Sequence, residues 1–416
     1  MAHAANLQLS RNTHVFLEKT QAAYSAQTTD YLWQIPVLDG YSFSQAVATS
    51  EVTLNEMARD GDLRTRRARA MFNDALEPAE WSFTSYVRPA NNGQSVDEAL
   101  WANMLGNVYY DGADWQNVTT GSPVTRTPAS QQISFDCESS NFVELGTFNL
   151  YFVLGACGDT DPAAYSQSNG QTIYKLHDCV VNSATIEFDI DGIAQITWSG
   201  FGTKIEQLIT KSLAGAQAIG LTGANPGGGL TSTRNFIKNR LTTLRIVPGD
   251  ILNVDRDQDS DGTDEFEAEY YVTLTGGSIT FENNISFLTP EELCRVNLPL
   301  GHVTGTRNIS GSFTCYLDDS QHQSDGNNGP TSSKMFADLV SDNARGVVTN
   351  DFQLLFSVGG SAGVPKADFS FPTTHLEIPA LNIEDVISLE TSFHALPTSL
   401  DGADEAVITY IGPSVL

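Results

Sequence analysis

Six residues, SFTSYV at Ser82–Val87, return almost unchanged as SFTCYL at Ser312–Leu317. Alone the match is too short to carry weight, but its neighbours repeat as well. Arg11-Asn12-Thr13-His14-Val15 is answered by Arg240-Leu241-Thr242-Thr243-Leu244, and Gly40-Tyr41-Ser42-Phe43 by Gly277-Ser278-Ile279-Thr280-Phe281, one residue longer. Trp101-Ala102 corresponds to Phe336-Ala337, Asn149-Leu150-Tyr151-Phe152 to Gln353-Leu354-Leu355-Phe356, and Ile186-Glu187-Phe188 to Leu376-Glu377-Ile378. All pairs keep one order, and the separations drift only where connecting loops differ. Ordered self-similarity of this kind means one structural unit built twice. The expected organisation is a first domain over 1–205, a linker over 206–233 and a second domain over 234–416. The junction carries few strand signals and ends in the breaker run Asn225-Pro226-Gly227-Gly228-Gly229.

The unit itself reads as β. Short runs with apolar residues on alternate positions predict strands at Leu9–Leu17, Tyr41–Gln45, Val52–Asn55, Ser82–Val87, Phe148–Leu154, Thr185–Ile190 and Ile193–Trp198. Asp191-Gly192 marks a hairpin between the last two. One helix is expected after Ser95, where Ser95 and Glu98 fit a capping box. Val96, Leu100, Trp101, Met104 and Leu105 share its apolar face, and Gly106 ends it. Its counterpart covers Lys334–Val340, and both apolar faces are expected to be core.

Length and charge narrow the classes of function. A chain of 416 residues is long enough for about two or three domains. It has no apolar run long enough to span a bilayer. Its N-terminus, MAHAANLQLSRNTHVF, lacks the charged-then-apolar order of a secretory signal, which implies synthesis and first residence in a cytoplasm. The formal charge of −28 disfavours sequence-independent grip on a phosphate backbone. Such acidity serves solubility, or it serves a surface that repels a polyanion; composition leaves both open. Cys137, Cys157, Cys179, Cys294 and Cys315 are odd in number and show no CxxC spacing, which fits ordinary buried thiols.

Two segments invite chemistry. In DRDQDSDGTDEFEAE (Asp255–Glu269), Asp257, Asp259, Asp261 and Gly262 match the start of a calcium loop, yet Ala268 stands where the bidentate Glu belongs and strands flank the segment. An acidic, solvated hairpin tip is the better reading. Arg59, Arg64, Arg66, Arg67 and Arg69 crowd one short stretch without interleaved aromatics. A flexible arm that docks arginine forks on carboxylates of a neighbouring subunit is favoured over a nucleic-acid contact or a plain solvated loop. The nucleophile elbow, Walker A loop and Rossmann fingerprint are absent, and nothing selects a catalytic carboxylate pair; no enzyme and no cofactor are expected.

Several long strings carry a resemblance. LQLSRNTHVFL (Leu7–Leu17), FNDALEPAEWSFTSYV (Phe72–Val87), DIDGIAQITWSG (Asp189–Gly200), IKNRLTTL (Ile237–Leu244), GGSITFENNISFLTP (Gly276–Pro290) and LDGADEA (Leu400–Ala406) resemble the major tail tube protein of phages with long non-contractile tails, in particular its T-five-like group. The resemblance implies a mainly β fold: two tandem duplicated tail-tube β-sandwich domains, each with a flanking helix, whose sheets join neighbours into a closed barrel. It also implies a structural virion protein, in which three two-domain chains form a pseudo-hexameric ring and stacked rings conduct DNA into the host. The partners it implies are further copies of the chain, a tape measure protein in the lumen during assembly, a tail terminator and tail-tip or baseplate hub proteins, with DNA in transit and no membrane. Assembly is placed in the host cytoplasm and the finished protein in the virion. Relatives of that group carry a C-terminal immunoglobulin-like decoration domain that a chain stopping at Leu416 is expected to lack, and the Asp255–Glu269 tip is richer in Asp than the group implies. On this reading Arg59–Arg69 clamps ring to ring or chain to chain, and an acidic lumen keeps DNA from sticking. The alternative from a different class is a secreted calcium-dependent adhesin or carbohydrate-binding β-protein, which the Asp-rich loop favours and the missing signal peptide and the repeat oppose.

Overall fold

The computed structural model describes residues 12–19, 31–53, 69–90, 93–112, 114–118, 124–137, 145–155, 165–167, 170–211, 234–248, 269–290, 297–318, 322–324, 327–329, 331–340, 352–360, 364–383, 385–400 and 402–413. Its longer elements in the first part are β1 (Thr13–Lys19), β2 (Tyr31–Ile35), β3 (Ser42–Thr53), β4 (Arg69–Tyr86), α1 (Glu98–Leu105), β5 (Gln132–Asp136), β6 (Phe148–Leu154), β7 (Thr172–Phe188), β8 (Gln195–Gly202) and β9 (Lys204–Leu208). Then follow β10 (Thr243–Pro248), β11 (Tyr270–Val272), β12 (Leu274–Glu282), β13 (Asn308–Tyr316), α2 (Ser332–Val340), β14 (Phe352–Val358), β15 (Lys366–Leu376), β16 (Ile387–Ala395) and β17 (Val407–Ile411).

Period-two alternation decides which side of each strand is buried. On β4, Ala79, Trp81, Phe83 and Ser85 are buried while Glu80, Ser82, Thr84 and Tyr86 point away. On β8, Ile196 and Trp198 are buried and Gln195 and Thr197 exposed. The expected strands at Val52–Asn55 and Thr185–Ile190 are parts of longer ones: Val52 lies near the end of β3 and Thr185 in the last part of β7.

Pairing then builds one large antiparallel sheet in the order β3-β4-β8-β7-β12-β13-β16. Beyond β16 lie the end of β15 and the short strand Ala380–Ile383. β7 serves two sheets: its first part pairs with β6 and β9, its second with β8 and β12. β15 is used in the same way, its first part pairing with β14 and β17. The parallel goes further, since β2-β1-β6 in the first part has the same connectivity as β11-β10-β14 in the second. β9 runs across the boundary expected at 205/206.

The expected closed barrel is not there. Closing a sheet requires its two edge strands to meet in register. Among the described strands β3 bonds only β4, Ala380–Ile383 bonds only β16, and no run of pairings returns to its starting strand. Among the described residues the sheets are open, and the fold is mainly β with two α-helices as expected.

α1 is not a flanking helix on an outer face. All eight of its residues are buried, including Glu98 and Asn103. It lies along β7 and β5, whereas α2 rests against β11. Trp101 meets Trp198 of β8 and also Phe281 of β12, with ring centroids 4.9 and 5.1 Å away. One buried cluster therefore contains residues from both parts of the chain. The helix begins at Glu98 with Asp97 as N-cap, later than the capping box implied; only half of that box forms, the Ser95 amide donating to Glu98 Oε2 at 3.3 Å. Gly106 follows the helix in extended backbone.

The registers also correct two of the string matches. Ser82 and Ser312 occupy the same place in the repeated string, and their partners are Ser42 and Ser278. Phe43 thus corresponds to Ile279, and Gln45 to Phe281. On β7, Ile186 faces Ile196, while in the second part Leu389, the counterpart of Ile196, faces Leu381. Leu381, and not Leu376, stands in the place of Ile186.

Candidate functional site

The outer side of the large sheet is a surface of hydroxyls and carboxylates. One cross-strand row runs Thr84–Thr197–Thr185–Thr280–Ser310–His394–His375, passing from β4 to β15 without a break. The Thr84 and Thr197 hydroxyls are 3.0 Å apart and those of Thr185 and Thr280 3.4 Å. The next row is Glu187–Ser278–Ser312–Ser392. Glu80, Glu187, Glu282 and Glu390 add carboxylates to this side, and the segments of 79–86, 182–188, 195–202, 277–282, 308–316 and 387–395 contain no Lys or Arg. Neutral hydroxyls satisfy one another across strands, and unpaired carboxylates set a negative field over the surface. The alternating Ser and Thr in SFTSYV, ITWS and SITF were the sequence signal for this surface; what they lacked was the order in which the strands pair.

The seam between the two parts of the chain is β7 against β12, with Ile186 opposite Ile279 and Phe188 opposite Gly277. Phe188 stacks on Phe356, centroids 5.7 Å apart. Beneath the seam α1 is tied to the second part by polar contacts. Trp101 Nε1 donates to the Tyr410 hydroxyl at 2.7 Å, which donates to Asp97 Oδ2 at 2.9 Å. Asn283 Nδ2 donates to the carbonyls of Met104 and Val181 at 3.0 and 3.2 Å, and Arg307 donates to that of Leu105 at 3.2 Å. The carbonyls of the last two residues of α1, Met104 and Leu105, which a helix leaves without partners, are thus satisfied from the other part of the chain.

Burial perturbs the acids at the start of α1. It pushes Asp97 up to about 6, against the opposing pull of the Tyr410 hydroxyl. It pushes Glu98 up to about 7, against the attraction of Arg126, whose Nη2 lies 3.3 Å away. Both carboxyls are sealed in the core beside large aromatics, with Trp115 Nε1 donating to Glu98 at 3.3 Å. This is a structural node holding a helix in place. Nothing in the sequence pointed to it, because Asp97 and Tyr410 are more than three hundred residues apart. Burial likewise raises the thiols of Cys137, Cys179 and Cys315, which are free and buried as expected.

Of the arginine cluster, Arg69 begins β4, exposed, with Nη1 3.4 Å from Glu51 of β3. Arg59, Arg64, Arg66 and Arg67 lie outside the described residues, as do Asp257, Asp259 and Asp261. The β3–β4 hairpin that leads toward the cluster exposes Val52, Met71 and Phe72. Among the described residues no group of three or more His, Cys, Asp or Glu side chains could hold a metal ion, and no helix is long and apolar enough to cross a membrane.

The chain matches the model of a family described as phage tail tube protein over residues 55–395. It is 28% identical over 408 residues to the tail tube protein pb6 of Escherichia phage T5, an alignment covering 97% of this chain and 76% of that protein.

Proposed function

The chain belongs to the phage tail tube protein family, and from that membership we propose that it forms stacked trimeric, pseudo-hexameric rings around a DNA-conducting lumen. It is a structural component of the phage tail, assembled as an oligomer into the tail tube. Its structural role calls for no catalytic centre. The secreted adhesin reading has no support in these comparisons.

Two tube domains per chain, expected over 1–205 and 234–416 and with β9 continuing the first to Leu208, make three chains supply six domains. The repeated strand order supports that count. A heterologous contact between copies, if its rotation closes, gives a ring, and rings then stack.

The observation that carries the lumen assignment is the Lys- and Arg-free side of the large sheet, with its Thr84–Thr197–Thr185–Thr280 row and the carboxylates Glu80, Glu187, Glu282 and Glu390. A wall of this kind repels phosphate and offers no cations for counterion-release binding. DNA passes over it without sequence-specific contact. The arginine cluster Arg59, Arg64, Arg66, Arg67 and Arg69, carried by the β3–β4 hairpin, clamps carboxylates of an adjacent copy. A tape measure protein fills the lumen during assembly, terminator and tail-tip hub proteins bound the tube, and assembly takes place in the host cytoplasm.

Negative-stain microscopy of the purified protein tests the reading: tubes with threefold end views are expected, and a persistent monomer would overturn it. Placing lysine on the polar side (Glu187→Lys with Thr197→Lys) should give tubes that retain DNA at low salt and release it as salt rises. Equal retention by unaltered tubes would remove the lumen assignment. Replacing Arg64, Arg66, Arg67 and Arg69 with Ser should leave a folded chain that polymerises poorly; normal tube yield would reject the clamp.

A further inference from the structure

The contact between the two parts of the chain has an unfilled counterpart on each side. In the first part, Trp101, Ile186 and Phe188 face the second part and are fully or nearly fully buried. Their counterparts in the second part are Phe336, from the repeat of Trp101-Ala102 as Phe336-Ala337, and Leu381 and Ile383, by strand register. Phe336 is half-buried, while Leu381 and Ile383 are 46% and 76% exposed.

The opposite side behaves in the same way. Ile279, Phe369 and Tyr410 of the second part are completely buried at the contact with the first. Register gives their counterparts. Ile279 corresponds to Phe43 through Ser42 and Ser278. Phe369 faces Phe356 as Tyr174 faces Phe152, and Tyr410 lies two residues beyond Ile408, the partner of Phe369, as Ile209 lies two beyond Gln207, the partner of Tyr174. Phe43 and Tyr174 are half-buried, and Ile209 is 72% exposed. The same apolar contact is therefore made once inside the chain, and both of its halves stand open at opposite ends.

We propose that a second copy of this chain fills this gap: the surface of Phe336, Leu381 and Ile383 on one copy receives Phe43, Tyr174 and Ile209 of the next, repeating the contact that joins the two parts of a single chain. This rests on the two-domain tube reading above and names the surfaces that reading leaves unspecified. The occupant is another copy because the internal contact already shows which side chains fit. The contact is heterologous, so each copy offers one donor and one acceptor surface and chains add head to tail. Burying exposed Leu and Ile side chains supplies the drive, as it does at the seam.

The test uses the two most exposed positions, where substitution leaves the fold of a single chain intact. Ile383→Glu and Ile209→Glu should each melt within a few degrees of the unaltered protein yet lose at least tenfold in tube yield by sedimentation and microscopy. Mixed in equal amounts, the two variants should form one-to-one pairs and no longer polymers, because each retains one intact surface; each alone should stay monomeric by analytical ultracentrifugation. If the unaltered protein makes tubes and both variants assemble equally well, this contact is wrong and the tube reading stands. If the unaltered protein makes no tubes, the tube reading and this contact fall together.

Discussion

Trp101→Ala is the perturbation that most directly probes how the two parts of the chain are joined. Trp101 is completely buried, packs edge-on against Trp198 and Phe281, and donates to Tyr410 at 2.7 Å. Truncating a buried tryptophan to alanine costs about 3–5 kcal/mol in lost transfer energy and residual cavity. The hydrogen bond adds at most about 1 kcal/mol, because the Tyr410 hydroxyl still donates to Asp97. A total near 4 kcal/mol is expected. Phe336→Ala, at the residue the repeat matches to Trp101, should cost only about 1 kcal/mol in a single chain, since that ring is only half-buried. The assay is urea unfolding of the unassembled chain, followed by far-UV circular dichroism and by tryptophan fluorescence. Because Trp101 touches strands of both parts, the entire transition should move to lower urea in both signals. A loss under about 1 kcal/mol, or a biphasic curve in which the second part unfolds where it did before, would refute the reasoning that α1 is a shared core element.

Other perturbations follow from the same contacts. Asn283→Ala leaves the buried carbonyls of Met104 and Val181 without their donor and should cost about 1–3 kcal/mol by urea midpoint; Asn283→Asp, which keeps acceptors only, should do no better. Asp97 has its folded pKa raised from 3.8 to about 6, so the folded chain favours the protonated carboxyl; its contribution is fully present below about pH 4 and is lost as pH rises through about 6. Unfolding midpoints at pH 4.5 and 6.5 should accordingly differ less in Asp97→Asn than in the unaltered protein, and an unchanged difference would show that this carboxyl does not titrate with folding. A Cβ at Gly311 would collide with the Ser278 carbonyl oxygen on the neighbouring strand, whereas one at Gly301 meets nothing within 4 Å. Gly311→Ala should therefore lower soluble yield and melting temperature sharply, while Gly301→Ala should leave both unchanged.

The local pattern of the chain was enough to read part of its strands, both helices and the order in which similar segments recur, but not β2, β5 or β9. Alternation in SFTSYV places Phe83 and Ser85 on one side and Ser82 and Thr84 on the other, because side chains of a strand point to opposite faces whatever the strand pairs with. The family resemblance was legible for the same reason, since long collinear strings survive in one dimension. Register was not legible. Matching Ile186 to Leu376 by composition missed Leu381 by five residues, because register is set by which backbone groups bond across strands and not by the residues within one. Nor could the apolar stripe of α1 tell whether the helix would flank a domain or sit under the seam of two. That depended on Tyr410, Asn283 and Arg307 reaching it from the far end of the chain. The open sheets were likewise decided in three dimensions, since closure depends on whether distant edges meet. The sequence by itself determined the β units, their recurrence and the family; the tertiary structure alone decided how those units share a core, because that rests on contacts between residues hundreds of positions apart.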